Sequence, residues 1–301
     1  MKRKTKIFVV IFILIISLFI GTKRSFASTN NEVEILEYDA KTDNVRSVNI
    51  DDVQNVIQKT TGAEQKNVIN RNSLELTSLA KSISTSRILN TNIFPYRQTC
   101  RVIAQTENNT TFLGSAAIVG PKVVLTAAHC VFDVNNNKAK LLNWKIQPGY
   151  NYGDVYGPQC GWDKVYYTKN WMQDDDAEYD WAICVLEQDV GSVGRLIAQS
   201  YSSNSEIENE TANVLGYPAQ QEYGFNGFYQ YKAGGYKINT AYNNYFTYTA
   251  STYKGFSGGP ILRSDNVMIG IQSRFKDTTS YGIRISQDIV NVVNAINSGN
   301  L

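Results

Sequence analysis

Three side chains that could act together in catalysis stand far apart in the chain, in the order His129, Asp180, Ser257. His129 is the only histidine and ends the run VVLTAAH, while Ser257 lies in the glycine-rich run GFSGGP. A serine hydroxyl is a weak nucleophile until a base removes its proton, and the base is usually a histidine oriented by a buried carboxylate. Asp180 precedes the apolar run WAICVL and is the carboxylate candidate. The sequence therefore predicts nucleophilic catalysis by Ser257, with His129 as general base and Asp180 orienting it.

The composition excludes several other kinds of site. A single histidine rules out a mechanism that needs two imidazoles, and it rules out a zinc site built mainly from histidine. Asp174, Asp175 and Asp176 form a triple acid without the ligand spacing of a calcium loop, so we interpret them as a solvated surface loop. We expect no metal ion and no cofactor.

The N-terminus predicts export. A basic start is followed by an apolar run from Ile7 to Ile20, and Ser25 and Ala27 form a small-x-small cleavage site. We therefore predict a signal peptide over residues 1–27 and a secreted, extracellular protein with no membrane association after cleavage. Removal of that segment takes away six basic residues and leaves 23 Lys or Arg residues against 27 Asp or Glu residues. Because the remaining chain is slightly acidic, we expect no nucleic-acid partner.

The next region and the cysteines allow only limited inference. Residues 28–81 contain no cysteine and no tryptophan, and we interpret them as a weakly structured or loosely helical lead-in.

Export would permit disulfides, and four cysteines allow three full pairings, among which the sequence does not choose. Cys184 lies in an apolar run and could equally be a buried free thiol. The cysteines are Cys100, Cys130, Cys160 and Cys184.

From about Phe94 the pattern is that of an all-β fold. Short apolar or alternating runs are separated by turns rich in Asn, Gly, Asp and Pro, and the length suits two packed β-barrels. The C-terminus differs, because Ile289, Val292, Val293 and Ile296 fall on one helical stripe with Ser286 as a possible N-cap. The sequence predicts one C-terminal α-helix over residues 286–298.

The ordered motifs TAAHC and GxSGGP resemble those of the chymotrypsin-type serine proteases over roughly residues 90–298. FPYR, IVGPKVVLTAAHCVFD and LGYPA are more narrowly similar to the secreted bacterial glutamyl endopeptidases. The resemblance implies two packed six-stranded barrels, about 94–190 and 200–285, in a protease domain at 82–301. It also implies a propeptide at 28–81 and an oxyanion hole made by the N–H groups of Gly255 and Ser257.

Departures from the family pattern bear on specificity. Phe256 stands where trypsin-like enzymes have the Asp that pairs with the new N-terminus, and Ser251 stands where trypsin selects Lys or Arg. Thr252 matches a threonine of the glutamate pocket, but Gln272 replaces the histidine of that pocket. Arg274 is expected near the rim. We predict a preference for Glu on the acyl side of the cleaved bond (P1), with Gln or Asp tolerated.

The sequence leaves two alternatives to a peptidase: a catalytically silent, protease-fold binding or toxin-like protein, and an esterase. We expect protein or peptide substrates and a monomer. The composition change near LAKSIS predicts a mature chain that begins near Ser82 after cleavage at Lys81, with Glu75 as a second cleavage candidate.

Overall fold

The structure is a computed structural model that describes residues 33–49 and 85–301. The predicted signal peptide and the cleavage candidates Lys81 and Glu75 lie outside the described residues. The described strands are β1 (Ile35–Asp39), β2 (Asn44–Val48), β3 (Thr85–Arg87), β4 (Thr99–Gln105), β5 (Thr111–Gly120), β6 (Val123–Thr126), β7 (Phe132–Asp133), β8 (Ala139–Lys140), β9 (Leu142–Pro148), β10 (Trp162–Thr168), β11 (Ala182–Leu186), β12 (Thr211–Gly216), β13 (Tyr231–Ala241), β14 (Tyr245–Thr249), β15 (Pro260–Leu262), β16 (Met268–Lys276) and β17 (Thr279–Arg284). The described α-helices are α1 (Lys169–Asp174), α2 (Asn204–Glu208) and α3 (Gln287–Asn297).

The N-terminal sheet has eight strands in the order β2-β1-β10-β11-β6-β5-β4-β9, and each neighbouring pair is antiparallel. The six strands from β10 to β9 curve round, and a bridge between Ile146 of β9 and Cys160 brings the two ends together. Apolar side chains of these strands, such as Val102, Ile118 and Val165, fill the interior. The hairpin of β1 and β2 extends the sheet beyond β10.

The C-terminal sheet closes on itself. Its order is β12-β15-β16-β17-β14-β13-β3, and β12 also pairs with β13, which makes a six-stranded barrel with β3 attached to β13. A separate core that includes Phe246, Tyr248 and Phe256 fills it. A third apolar cluster, with Leu125, Ile183 and Ile271 among its members, joins the two sheets.

Helix α3 confirms the predicted terminal helix. The Ser286 hydroxyl accepts a hydrogen bond from the backbone N–H of Ile289, which is the expected N-cap. Ile289, Val292 and Val293 are buried against the cluster between the sheets, as the apolar stripe predicts. In the residues that the structure describes, no helix is long and apolar enough to cross a membrane.

The all-β architecture with two packed sheets and a terminal helix is confirmed, and two details differ from expectation. The N-terminal sheet has eight strands rather than six, because residues 35–48 add a hairpin. The expectation of a loosely helical lead-in is therefore wrong for that segment. Strand β1 is buried on both of its faces, so its sequence, ILEYD, does not show the alternation typical of a half-buried strand.

All four cysteines are free and buried.

Candidate active site

His129 and Asp180 are brought together by two short turns at the ends of neighbouring strands. His129 lies in the 3-10 turn Ala128–Cys130 that follows β6, and Asp180 lies between the turn Ala177–Tyr179 and β11, which pairs with β6. The Nδ1 atom of His129 is 2.7 Å from Oδ2 of Asp180, and the His129 backbone N–H donates to Oδ1 at 3.0 Å. The carboxylate therefore fixes both the ring and the backbone of His129.

Ser273 is a third member of this network, and the sequence reasoning did not find it. Its hydroxyl donates to Oδ2 of Asp180 at 2.6 Å, and Asp180 is only 4% exposed. A buried carboxylate needs such donors to remain ionised. Ser273 lies next to Gln272 on β16, and a serine within a strand gives no local signal of its role.

Burial of the His129 ring opposes its positive charge, but the Asp180 carboxylate, with a contribution from the neighbouring Cys130, outweighs burial and raises the pKa of His129 well above 6.5. Burial of Asp180 likewise opposes its negative charge, yet His129 and the Ser273 hydroxyl lower the pKa of that carboxyl below its ordinary value. The arrangement thus stabilises an imidazolium next to a carboxylate, which is the charge state that a general base reaches when it accepts a proton.

Ser257 shares one cleft of about 850 Å³ with His129 and Asp180. Its hydroxyl donates to the backbone carbonyl of Ser273 at 3.1 Å. The two sheets contribute different parts of the site, because His129 and Asp180 come from the N-terminal sheet and Ser257 follows β14 of the C-terminal barrel. The predicted residues therefore line one cleft, and their chemical roles stay predictions.

The loop around Ser257 requires glycine on both sides of that residue. Gly255 has a φ of +96°, and a Cβ there would lie 2.3 Å from the carbonyl oxygen of Tyr217. Gly258 has a φ of +82°, and its Cβ would lie 2.1 Å from the carbonyl oxygen of Ser115. Among the described residues, no hydrogen bond occupies the backbone N–H of Gly255 or Ser257. These two amides are therefore free to donate to a ligand oxygen.

Ser115 of β5 ties this loop to the other sheet. Its hydroxyl donates to the carbonyl of Gly255 at 2.7 Å and accepts from the N–H of Tyr217 at 3.0 Å. Its backbone N–H donates to the carbonyl of Ser257 at 2.8 Å, and its carbonyl accepts from the Thr126 hydroxyl at 2.8 Å. Ser115 is completely buried. The side chain and the backbone N–H of this one residue therefore help to set the positions of Gly255 and Ser257, the two predicted oxyanion-hole residues.

Phe256 shows how the loop is ordered without an ion pair. Its ring is completely buried in the core of the C-terminal barrel, together with Tyr248 and Ile261. Its backbone N–H donates to the carbonyl of Tyr253 at 3.1 Å. Phe256 thus anchors the loop by apolar packing, at the position where trypsin-like enzymes have an aspartate.

A pocket of about 240 Å³ lies beside the cleft and contains two of the predicted specificity residues, Ser251 and Thr252. Phe275, which also lines the cleft, connects the two spaces. Asp277 lines the same pocket, and the sequence reasoning missed it. This carboxylate brings a negative charge to the pocket.

Gln272 lies behind Thr252 and is 2% exposed. Its Oε1 accepts a hydrogen bond from the Tyr248 hydroxyl, and its Nε2 donates to the carbonyl of Arg274 at 3.1 Å and approaches Thr252 Oγ1 at 3.5 Å. Thr252 and Ser280 share a hydroxyl hydrogen bond of 2.6 Å. Tyr248 therefore orients the amide so that its NH₂ group faces Thr252.

Arg274, predicted near the rim of this pocket, lines the cleft next to it. Its Nη1 donates to the carbonyl of Ala177 at 2.8 Å, and its guanidinium carbon lies 4.7 Å from the centre of the Tyr281 ring. The charge is thus held beside the turn that precedes Asp180.

In the described ranges, no group of three or more His, Cys, Asp or Glu side chains is placed to hold a metal ion. The cleft brings together a serine hydroxyl, an imidazole bound to a carboxylate, and two backbone amides without a hydrogen-bond partner among the described residues.

Comparison with known proteins identifies the family of this chain and supports its fold. The family model described as "Trypsin-like peptidase domain" matches residues 114–271. The chain is 27% identical to an "Extracellular metalloprotease" of Bacillus subtilis, over 74% of this chain and 70% of that protein. It is 24% identical to a "Glutamyl endopeptidase" of Bacillus licheniformis, over 63% of this chain and 56% of that protein. A solved Glu endopeptidase covers 72% of this chain, with 98% of its own chain matched, a TM-score of 0.62 and 18% identity, so this likeness shows the fold.

Proposed function

Because this chain belongs to the family of trypsin-like peptidase domains, we propose that it is a serine endopeptidase with a His129, Asp180, Ser257 triad. The observation that carries the proposal is the contact of His129 Nδ1 with the buried Asp180 carboxylate in the cleft that contains Ser257. Ser257 Oγ attacks the carbonyl of the scissile bond while His129 accepts its proton. His129 then gives the proton to the leaving amine, and water hydrolyses the acyl-enzyme.

The oxyanion of the tetrahedral intermediate is bound by the backbone N–H groups of Gly255 and Ser257. Both amides are without a partner among the described residues, and Ser115 and Phe256 hold the loop that presents them. Loss of one such donor in related sites raises the barrier by about 3–4 kcal/mol.

We further propose that the enzyme prefers Glu at P1, with Gln accepted as the next best residue. The name of the Bacillus licheniformis relative and the hydroxyl and amide groups of Thr252, Ser280 and Gln272 support this preference. Ser251 supplies no charge to pair with Lys or Arg, and burying an unpaired charge is unfavourable. The carboxylate of Asp277 repels an acidic P1 side chain, so the preference for Glu over Gln should be smaller than in family members that have a histidine in place of Gln272.

Export is proposed from the first 27 residues and from the word "extracellular" in the name of the Bacillus subtilis relative. In this proposal the enzyme acts outside the cell on proteins or peptides, as a monomer, after removal of the signal peptide and cleavage near Ser82.

Three measurements test these proposals. A fluorophosphonate probe should label the enzyme but not the Ser257→Ala variant. The Ser257→Ala and His129→Ala variants should each have a kcat on peptides that is lower by about 10⁶. Values of kcat/KM on matched peptides with Glu, Gln, Asp, Leu and Lys at P1 then test specificity. Best cleavage after Lys or Leu would refute the proposed preference. Absence of labelling would indicate the silent binding protein, and cleavage of esters but not peptides would indicate an esterase.

Gln272→Ala is the matched test of the pocket. If its Nε2 donates to the P1 side chain, this change should lower kcat/KM for Glu and Gln by about tenfold and leave Leu within about twofold, because only polar P1 groups lose a buried donor.

A further inference from the structure

The hairpin of β1 and β2 lies upstream of the proposed cleavage at Lys81 and yet is part of the N-terminal sheet. Every residue of β1 is paired with a residue of β10, from Ile35 with Thr168 to Asp39 with Lys164. Backbone hydrogen bonds continue the pairing at both ends, from Lys169 N–H to the Glu34 carbonyl and from Ala40 N–H to the Asp163 carbonyl. Strand addition of this kind covers a sheet edge that would otherwise be open.

The hairpin buries apolar side chains on both of its faces. Leu36 and Tyr38 pack into the core of the N-terminal barrel, where the Tyr38 ring meets Trp162 edge-on at 5.7 Å. Ile35 is 0% exposed, and it packs with Val48 into the cluster between the two sheets. A segment whose removal would uncover parts of two apolar clusters is integrated into the fold.

Glu37 adds a buried polar link across the same boundary. It is 3% exposed, and Arg46 of β2 binds both of its carboxylate oxygens at 2.9 Å. On the β10 side, Tyr166 donates its hydroxyl to Glu37, and Lys164 Nζ lies 3.3 Å from Oε1. Without the hairpin, the buried Tyr166 hydroxyl would lose this acceptor, which is unfavourable.

The docked hairpin leaves the active-site cleft open. None of the residues that line the cleft belongs to 33–49. Val33 lines a small separate pocket together with Tyr179 and Trp181, the two neighbours of Asp180, and does not enter the cleft. Occupancy of the β10 edge is therefore compatible with catalysis.

We propose that residues 33–49 stay docked on β10 after the chain is cut between residues 50 and 84, so that the mature enzyme is a non-covalent complex of an N-terminal fragment and the protease body. This proposal rests on the maturation step of the proposed function. The partner of the β10 edge is thus a segment of the same chain.

The test uses a chain that starts at Ser28, with Ser257→Ala to prevent self-cleavage and a recognition sequence for a site-specific protease in place of residues 62–68. After cutting, size-exclusion chromatography at micromolar concentration is followed by native and denaturing mass spectrometry. We expect both fragments in one peak and their separation only under denaturing conditions. Elution of the N-terminal fragment by itself from the folded body would overturn the proposal.

Two substitutions in the hairpin provide a matched pair. Val45 is 54% exposed on β2, and Val45→Asp should retain the fragment as the parent does. Ile35→Asp should release at least ten times more fragment on the column, because Ile35 is completely buried. If the uncut Ile35→Asp protein does not fold, Ile35→Ala replaces it, with faster exchange against a labelled peptide of residues 33–49 as the readout. Equal retention of the Ile35 and Val45 variants would contradict docking through β1.

The enzyme purified from culture medium gives an independent result. Amino-terminal sequencing should yield two sequences, one near Ser28 and one near Ser82, whereas a single sequence at Ser82 would refute the proposal. A lack of peptidase activity would contradict the proposed function and leave the fragment measurements unaffected.

Discussion

The Asp180 carboxylate accepts hydrogen bonds from the His129 ring, the His129 backbone and the Ser273 hydroxyl. Asp180→Asn should keep most of this geometry but favour the wrong imidazole tautomer, and it should lower kcat by about 10⁴. The general base must be neutral, and Asp180 raises the pKa of His129 above 6.5. In the wild type, kcat/KM should therefore fall with acidification at a midpoint above pH 6.5, and in Asp180→Asn that midpoint should move to lower pH.

Measurement of kcat/KM from pH 5 to 9 for both proteins checks this prediction. Asp174→Asn, at the exposed last residue of α1, is the control and should reproduce the wild-type profile. An unchanged midpoint in Asp180→Asn would show that the carboxylate does not set the charge of His129.

At the scale of elements, strand β5 positions the loop that contains Gly255 and Ser257. Ser115→Ala removes the hydroxyl that serves Gly255 O and Tyr217 N–H, both of them buried contacts. The loss of a buried partner should lower the free energy of unfolding by about 1–3 kcal/mol. It should also lower kcat by about 10- to 100-fold with little change in KM, because the oxyanion is bound in the transition state rather than in the ground state.

A purely structural role for Ser115 predicts a different result. In that case the melting temperature would fall, while kcat well below it and the affinity for a peptide boronate would stay the same. Thr110→Ala, at an exposed position just before β5, is the matched control and should change neither property.

The elements differ in how far the sequence predicts them. Helix α3 is predictable because its cap and its apolar stripe are local in sequence, and β-strands with turns between them identify an all-β fold. His129, Asp180 and Ser257 can be singled out from the sequence because the motifs around His129 and Ser257 are specific, and their proposed roles stay predictions. Ser273 and Ser115 cannot be singled out in this way, because each acts through a partner that is distant in the chain: Asp180 for Ser273 and Gly255 for Ser115. The hairpin of β1 and β2 is not predictable from the sequence for the same reason. The carboxylate of Glu37 can be buried because Arg46, Lys164 and Tyr166 bind it, and the last two residues lie on the distant strand β10.

At the scale of the whole molecule, the two sheets form the cleft between them, and strand β3 begins near the pocket that contains Ser251 and Thr252. Strand β3 pairs with β13, and the Thr85 hydroxyl donates to the carbonyl of Ser251 at 2.9 Å. A chain that begins at Ser82 has three residues before Thr85, which span at most about 11 Å. In the proposed mature enzyme, the new amino group would therefore lie within about 11 Å of Thr85.

We expect that positive charge to assist binding of a Glu side chain, since Gln272 itself is uncharged and Asp277 is negative. A mature enzyme with Gly-Ser added before Ser82 should lose about tenfold in kcat/KM for Glu at P1, equivalent to about 1.4 kcal/mol, and much less for Gln or Leu. The matched control is the same addition at the C-terminus after Leu301, which should change none of these values. If the extended enzyme keeps the wild-type ratio of Glu to Gln cleavage, the amino group does not reach the pocket. In an uncut chain that begins at Ser28, the nitrogen of Ser82 is an uncharged peptide amide. If such a chain is fully active, neither cleavage near Ser82 nor the new amino group is needed.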